Sequence, residues 1–287
     1  IKVVTVDYLI AEPTETFYVA ISNPNGANGT PQGQATINDN DGPPSIYIDD
    51  ALVLEGGTLQ FTVSLGGPSG LPVSFSYQTY DGTTPNFQAL TGDSDYSSAN
   101  GTITLAPGAT TTVVEVVTTH DTKYENDETL IVSLSAINNA NVGDDEAIGT
   151  IQNDDTPPGL YISDASAAEG ATLTFTISLS AASGLDTVVD WFTEDGTATT
   201  ADNDYTPVAL TKITISAGNT TYNVEVVTTH DINYEADEIV YAKLANNVNI
   251  VDGEGEGLIT NNDSVPNIFV SNATVTEGET AQIVVTL

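Results

Sequence analysis

The chain of 287 residues sets 40 Asp and Glu against four Lys (Lys2, Lys123, Lys212 and Lys243) and no Arg, a formal net charge of -36. So acidic a surface repels phosphate backbones and anionic lipid, and no apolar run approaches the about 18 residues of a membrane helix, which excludes nucleic-acid partners and membrane insertion. The absence of Cys excludes disulfides, thiol nucleophiles and Cys-ligated zinc, and leaves a cation as the partner such a chain attracts.

Internal repeats organise everything else. Residues 1–43 match only the second half of a unit that is complete at 44–157, complete again at 158–265, and begun once more at 266–287. The opening of the unit, Leu54-Glu55-Gly56 before Thr58-Leu59-Gln60-Phe61-Thr62-Val63-Ser64-Leu65, returns at Glu169-Gly170 and at Glu277-Gly278, at spacings of 114 and 108 residues. Next come Asp81-Gly82-Thr83 (again Asp195-Gly196-Thr197) and Asp95-Tyr96 (again Asp204-Tyr205). The run from Val116 to Asp121 recurs verbatim from Val226 to Asp231, followed by Tyr-Glu-x-Asp-Glu each time. Each unit closes on an acidic stretch and proline: Asp39-Asn40-Asp41-Gly42-Pro43-Pro44, Asp154-Asp155-Thr156-Pro157-Pro158, and Asn262-Asp263-Ser264-Val265-Pro266. Proline fixes φ and removes a donor, so these stretches read as linkers, and the partial outer pieces read as the cut ends of a longer array.

Within a unit the apolar period is two. Leu59, Phe61, Val63 and Leu65 alternate with polar neighbours, as do Leu130, Val132 and Leu134. Phe75, Tyr77 and Thr79 share a strand face, where the next copy has Val189, Trp191 and Thr193. About seven such strands per unit, broken by Gly, Pro, Asn and Asp, predict an all-β fold of tandem antiparallel Greek-key sandwiches. Trp191 then belongs to a core rather than to a sugar-stacking platform.

The carboxylates lie at strand ends and in loops, which a Greek-key sandwich collects at one tip. Two of them about 4 Å apart repel by about 4 kcal/mol at an effective dielectric of 20, and the few lysines cannot compensate. Ca²⁺, with six to eight oxygen ligands in flexible geometry, fits such a set better than Mg²⁺. A solvated acidic surface is the bland alternative, but solubility requires neither clustering nor repetition. One His per unit argues against a paired-His zinc site. No unrepeated carboxylate pair or aromatic groove supports a glycosidase, and the expectation is that the chain is not an enzyme. Asn28, Asn100 and Asn219 open N-glycosylation sequons, a weak signal in so Asn- and Thr-rich a chain.

In order and spacing these motifs resemble the Calx-beta domain: Glu-Gly before a Phe-Thr-Val-Ser-Leu strand, Asp-Gly-Thr, Asp-Tyr, Pro107-Gly108, Asp-x3-Glu-x2-Glu and a closing Thr-Ile-x-x-Asp-Asp. The resemblance implies a seven-stranded immunoglobulin-like sandwich holding calcium at one tip. Carried over residue by residue, it implies Glu55, Asp95, Asp121, Glu125, Glu128, Asp154 and Asp155 in the first complete copy, with the Lys123 carbonyl as an extra ligand. It implies Glu169, Asp204, Asp231, Glu235, Glu238 and Asp263 in the second. In the outer pieces it implies Glu12, Glu15, Asp39 and Asp41, with Asp7 one residue out of step, and Glu277. Asn261 and Asn262 replace acids in the second copy, which implies weaker binding there, and His120 and His230 stand where that family often has Asp. The acidic linker before proline also resembles, more distantly, that of cadherins.

The expected function is a calcium-stiffened spacer or adhesive module of a large extracellular or cell-surface protein, bacterial by expectation. Its partners are calcium ions, neighbouring repeats, and other copies of itself or a surface or matrix ligand. A calcium-sensing regulatory module and a filament subunit are the competing expectations.

Overall fold

The computed structural model describes residues 1–22, 31–85 and 87–287, and the sequon at Asn28 lies outside them. No helix occurs among the described residues. The chain divides into two compact units, Ile1–Thr122 with Asn126–Asp155, and Lys123–Glu125 with Thr156–Leu287.

In the first unit the leading segment forms an antiparallel hairpin of β1 (Glu15–Ala20) and β2 (Gln32–Ile37). It is tied to the rest of the unit where Gly70 N donates to the Ala11 carbonyl at 2.8 Å, and Ala11 is buried. The complete copy follows as β3 (Ser45–Ile48), β4 (Ala51–Leu54), β5 (Thr58–Leu65), β6 (Val73–Asp81), β7 (Asn100–Leu105), β8 (Thr111–Val117), β9 (Glu128–Asn138), β10 (Asn141–Val142) and β11 (Glu146–Gln152). Two sheets result, in the orders β10-β3-β5-β8 and β4-β11-β9-β6-β7.

The predicted seven strands become nine segments because the first and last strands each change sheet midway. β3 pairs parallel with β10 in one sheet, and β4 pairs parallel with β11 in the other. The crossing leaves backbone donors without ladder partners, and side chains take over: Asp50 Oδ1 accepts from Ile148 N at 2.7 Å. In the next copy Asp164 Oδ1 does the same for Glu256 N at 2.8 Å. Period two sets the core. Leu59, Phe61, Val63 and Leu65 face Phe75, Leu130, Val132 and Leu134 across the two sheets, all buried. Tyr77 is half-buried against the same cluster.

The second unit repeats the plan with β12 (Leu160–Ile162), β13 (Ala165–Ala168), β14 (Thr172–Leu179), β15 (Thr187–Asp195), β16 (Thr211–Ile215), β17 (Thr221–Val227), β18 (Glu238–Ala245), β19 (Ile250–Asp252) and β20 (Glu254–Thr260). Its sheets run β17-β14-β12-β19 and β13-β20-β18-β15-β16. Trp191 is 5% exposed and belongs to the core with Phe175, Leu173 and Val240, as the strand pattern predicts. The trailing segment adds a short hairpin of β21 (Phe269–Val270) and β22 (Val285–Thr286).

Candidate metal centre

In each sandwich the Glu-Gly motif is the turn between two strands at one tip. Gly56 and Gly170 have φ of +73° and +80°, and a Cβ on either would stand 2.6 Å from the Cβ of His120 or His230. Only glycine allows both the left-handed turn and this approach. The motif thereby presses a carboxylate, Glu55 or Glu169, against the segment that carries His and Asp after β8 or β17.

At the first tip Glu55, Asp121 and Asp155 bring carboxylate oxygens within 4.8 Å of one another. Glu55, His120 and Asp154 form an overlapping group, with His120 Nδ1 3.6 Å from Asp154 Oδ1. Asp121 N donates to Glu55 Oε2 at 3.5 Å. Burial, followed by repulsion from Asp121, Asp155 and Asp154, lifts the Glu55 carboxyl above the ordinary range, against the opposing hydrogen bond from Asp121 N. Asp95 and Glu128 also approach within 4.8 Å. At that separation each charged pair repels by about 3 kcal/mol at an effective dielectric of 20. Glu125 lies in the segment counted with the second unit, where it pairs with Lys123 Nζ.

The second tip gathers the residues differently. Asp204, Glu235 and Glu238 form one group within 4.8 Å, and Glu169, His230 and Asp263 form another. Glu169, Asp204, Asp231, Glu235 and Glu238 line one small polar cavity of about 30 Å³, room for water-sized occupants but for no organic ligand. Burial and the neighbouring Asp204, which shares a hydrogen bond with it, push the Glu238 carboxyl up to about 7. Glu235 is raised as well, by burial and then by Asp231 and Asp204.

Asp231 lines this cavity but joins neither close group, unlike its counterpart Asp121. Its oxygens accept from Asn233 N at 2.7 Å and Asn233 Nδ2 at 3.1 Å, an Asx turn. The first copy has Lys123 at that position, whose side chain offers no such amide. Asn262, in the place of Asp154, donates its backbone N to Glu169 Oε1 at 2.9 Å and its amide to the Glu169 carbonyl at 3.0 Å. The asparagine thus replaces a charge with donors to the neighbouring acid.

In the leading segment Asp7, Glu12, Glu15, Asp39 and Asp41 line one shallow pocket. Asp39 is occupied with the backbone, accepting from Glu12 N at 3.1 Å and Asp41 N at 3.4 Å. Glu277 is exposed and joins no group among the described residues.

One feature recurs at all three closing linkers. Asp41, Asp155 and Asp263 each hold a buried carboxylate oxygen, Oδ2, with no hydrogen-bond partner. A buried acceptor left unpaired costs about 1–3 kcal/mol, more when charged, and three equivalent positions carry that cost. The donor set around them is oxygen-rich and anionic, which suits a hard cation.

Reading the sequence assigned no role to Asp81, Asp195, Tyr96 or Tyr205, although their motifs recur. Tyr96 and Tyr205 are buried, and their hydroxyls donate to Asp81 Oδ1 at 2.8 Å and Asp195 Oδ1 at 2.6 Å. The verbatim return of Asp-Gly-Thr and Asp-Tyr was the available signal.

The model of the Calx-beta domain matches residues 1–43, 39–155 and 161–284. No curated protein matches the chain. Among solved structures, the chain is similar to CBD12 from CALX1.2 at 16% identity, covering 75% of this chain and 99% of that one with a TM-score of 0.35. It is similar to the apo form of the Calx CBD1 domain at 21% identity, covering 39% of this chain and 99% of that one with a TM-score of 0.34. The I9–I11 tandem of titin matches at 10% identity, with 80% and 68% covered and a TM-score of 0.20. With matches spanning nearly its whole length, in repeats that each close on the same acidic tip, the chain belongs to the Calx-beta domain family.

Proposed function

We propose that this chain binds calcium at its acidic tips and serves as a calcium-stiffened spacer in an extracellular or cell-surface repeat protein, without enzymatic activity. The observation that carries the reading is the threefold recurrence of a buried, partnerless carboxylate oxygen at Asp41, Asp155 and Asp263, two of them within the groups around Glu55 and Glu169. A bound divalent cation supplies the positive charge that such oxygens lack. Glu55, Asp121 and Asp155 would hold it at the first tip, and at the second Glu169 with Asp263 and Asp204 with Glu235 and Glu238. Asp39 keeps its loop closed instead. The prolines at 157 and 158 follow Asp155 after a single residue, Thr156, so a neutralised tip removes repulsion beside the linker and restrains the chain there.

Calorimetric titration of the whole chain tests the binding, with dissociation constants of about 10⁻⁴ to 10⁻³ M expected for an extracellular module. No heat of binding, together with an unchanged melting temperature in chelator, refutes it. Small-angle scattering tests the spacer role separately. A profile equally extended and equally rigid with and without calcium refutes stiffening while leaving binding intact.

A further inference from the structure

We propose that Asp81 with Tyr96, and Asp195 with Tyr205, are latches that position the loops carrying Asp95 and Asp204 for cation binding. This rests on the calcium reading above, and Asp81 and Asp195 are themselves positioning residues rather than ligands.

The geometry is the same in both sandwiches. Two successive backbone amides are divided between two aspartates. Leu90 N donates to Asp95 Oδ2 at 2.7 Å while Thr91 N donates to Asp81 Oδ1 at 3.0 Å. In the other copy Thr199 N donates to Asp204 Oδ2 at 2.7 Å while Thr200 N donates to Asp195 Oδ1 at 3.1 Å. The tyrosine hydroxyl, from a ring set in the hydrophobic core, closes the clamp on the same oxygen of Asp81 or Asp195. Behind the aspartate the chain must pass close to the neighbouring strand. A Cβ on Gly82 would lie 2.0 Å from the Thr129 carbonyl, and one on Gly196 2.3 Å from the Ile239 carbonyl, which explains the glycine of the Asp-Gly-Thr motif.

The clamp survives a change in the loop that feeds it. Asp81 and Tyr96 are 15 residues apart, whereas Asp195 and Tyr205 are 10 apart. Five residues are therefore lost from one copy without altering a single bond of the clamp. Downstream the clamp reaches the other ligand loop, because the Asp95 carbonyl accepts from Thr119 N and the Asp204 carbonyl from Thr229 N, both at 2.8 Å. His120 and Asp121, or His230 and Asp231, follow directly. Holding one oxygen of Asp95 or Asp204 on a backbone amide fixes the rotamer of a carboxylate that would otherwise turn away from Glu128 or Glu238. The electrostatics agree. Burial and the bond to Asp195 push the Tyr205 phenol up to about 12, while the bond from Tyr205, followed by that from Thr200, holds Asp195 below the ordinary carboxylate range.

The test uses the full chain and Tyr205→Phe, which deletes one hydroxyl and keeps the ring in the core. Three quantities are read: calcium affinity, the melting temperature in chelator, and the exchange rates of the Thr199 and Thr200 amides against the core amide of Val240. Outer-shell partners of metal ligands are worth about 10–100-fold in affinity, so the tip containing Asp204 is expected to bind calcium about tenfold more weakly. The first tip should be unchanged, and Tyr96→Phe should give the mirror result. Thr199 and Thr200 should exchange several-fold faster in chelator while Val240 does not. Unchanged affinity with unchanged exchange overturns the latch. So does a lowered melting temperature with every amide faster and affinity intact, the signature of a purely structural tyrosine. If the unaltered chain binds no calcium, the calcium reading fails on its own. Exchange at Thr199 and Thr200 then still decides whether the hydroxyl positions the loop: faster upholds it, unchanged refutes it.

Discussion

Deprotonation of Glu238 should make the calcium-free second sandwich less stable as the pH rises from 5 to 7.5. Its carboxyl is lifted from the ordinary 4.5 to about 7, chiefly by burial and by Asp204. With the folded value above the unfolded one, the native state holds the proton more tightly between those limits. The unfolding free energy therefore falls as the pH climbs through that window and levels off above it. A shift of this size corresponds to about 3 kcal/mol, and for a half-buried, solvent-screened group about 1–2 kcal/mol is the reasonable expectation. For a domain of about 100 residues each kcal/mol moves the melting temperature by about 4–8 °C. The assay is direct, because Trp191 is the one tryptophan of the chain and lies in the core of this sandwich, so its fluorescence follows the melting of that unit. In chelator the wild type should lose stability across the window, and Glu238→Gln should flatten the slope. At saturating calcium the slope should vanish or reverse, since ligation requires the deprotonated acid. If Glu238→Gln in chelator retains the wild-type slope, the reasoning from crowded carboxylates is wrong.

Asp263→Asn should raise the chelator melting temperature by several degrees, because it removes a buried and unpartnered charge, while calorimetry shows weaker calcium binding at that tip. Gly170→Ala should destabilise the second sandwich by about 1–3 kcal/mol in a denaturant titration, since it meets both a φ of +80° and the His230 Cβ, and should weaken calcium binding there. Phe61→Ala, at the centre of the first core, should cost about 3–5 kcal/mol by the same titration and leave the Trp191 transition where it was.

Strand pattern and repetition were legible because both are local or self-referential. The alternation Leu59-Phe61-Val63-Leu65 requires one face to be buried whatever packs against it, and the verbatim return of residues 116–121 at 226–231 marks the unit. The accumulation of acids at strand ends was likewise visible, and with it the expectation of a cation. Tertiary structure alone decided which acids meet. Asp121 and Asp231 are sequence equivalents, yet Asp121 stands with Glu55 and Asp155 while Asp231 accepts from the backbone and amide of Asn233. The change of sheet at Asp50 depends on pairing with Ile148, and strand patterns carry no signal for pairings so distant in the chain. The tyrosine clamps show in the sequence only as two recurring motifs: their bonds close over 15 residues in one copy and 10 in the other, so no fixed spacing pairs the Asp with its Tyr. Periodicity reports which face of an element is buried, but the position of a charge in space is set by how the strands fold back on one another.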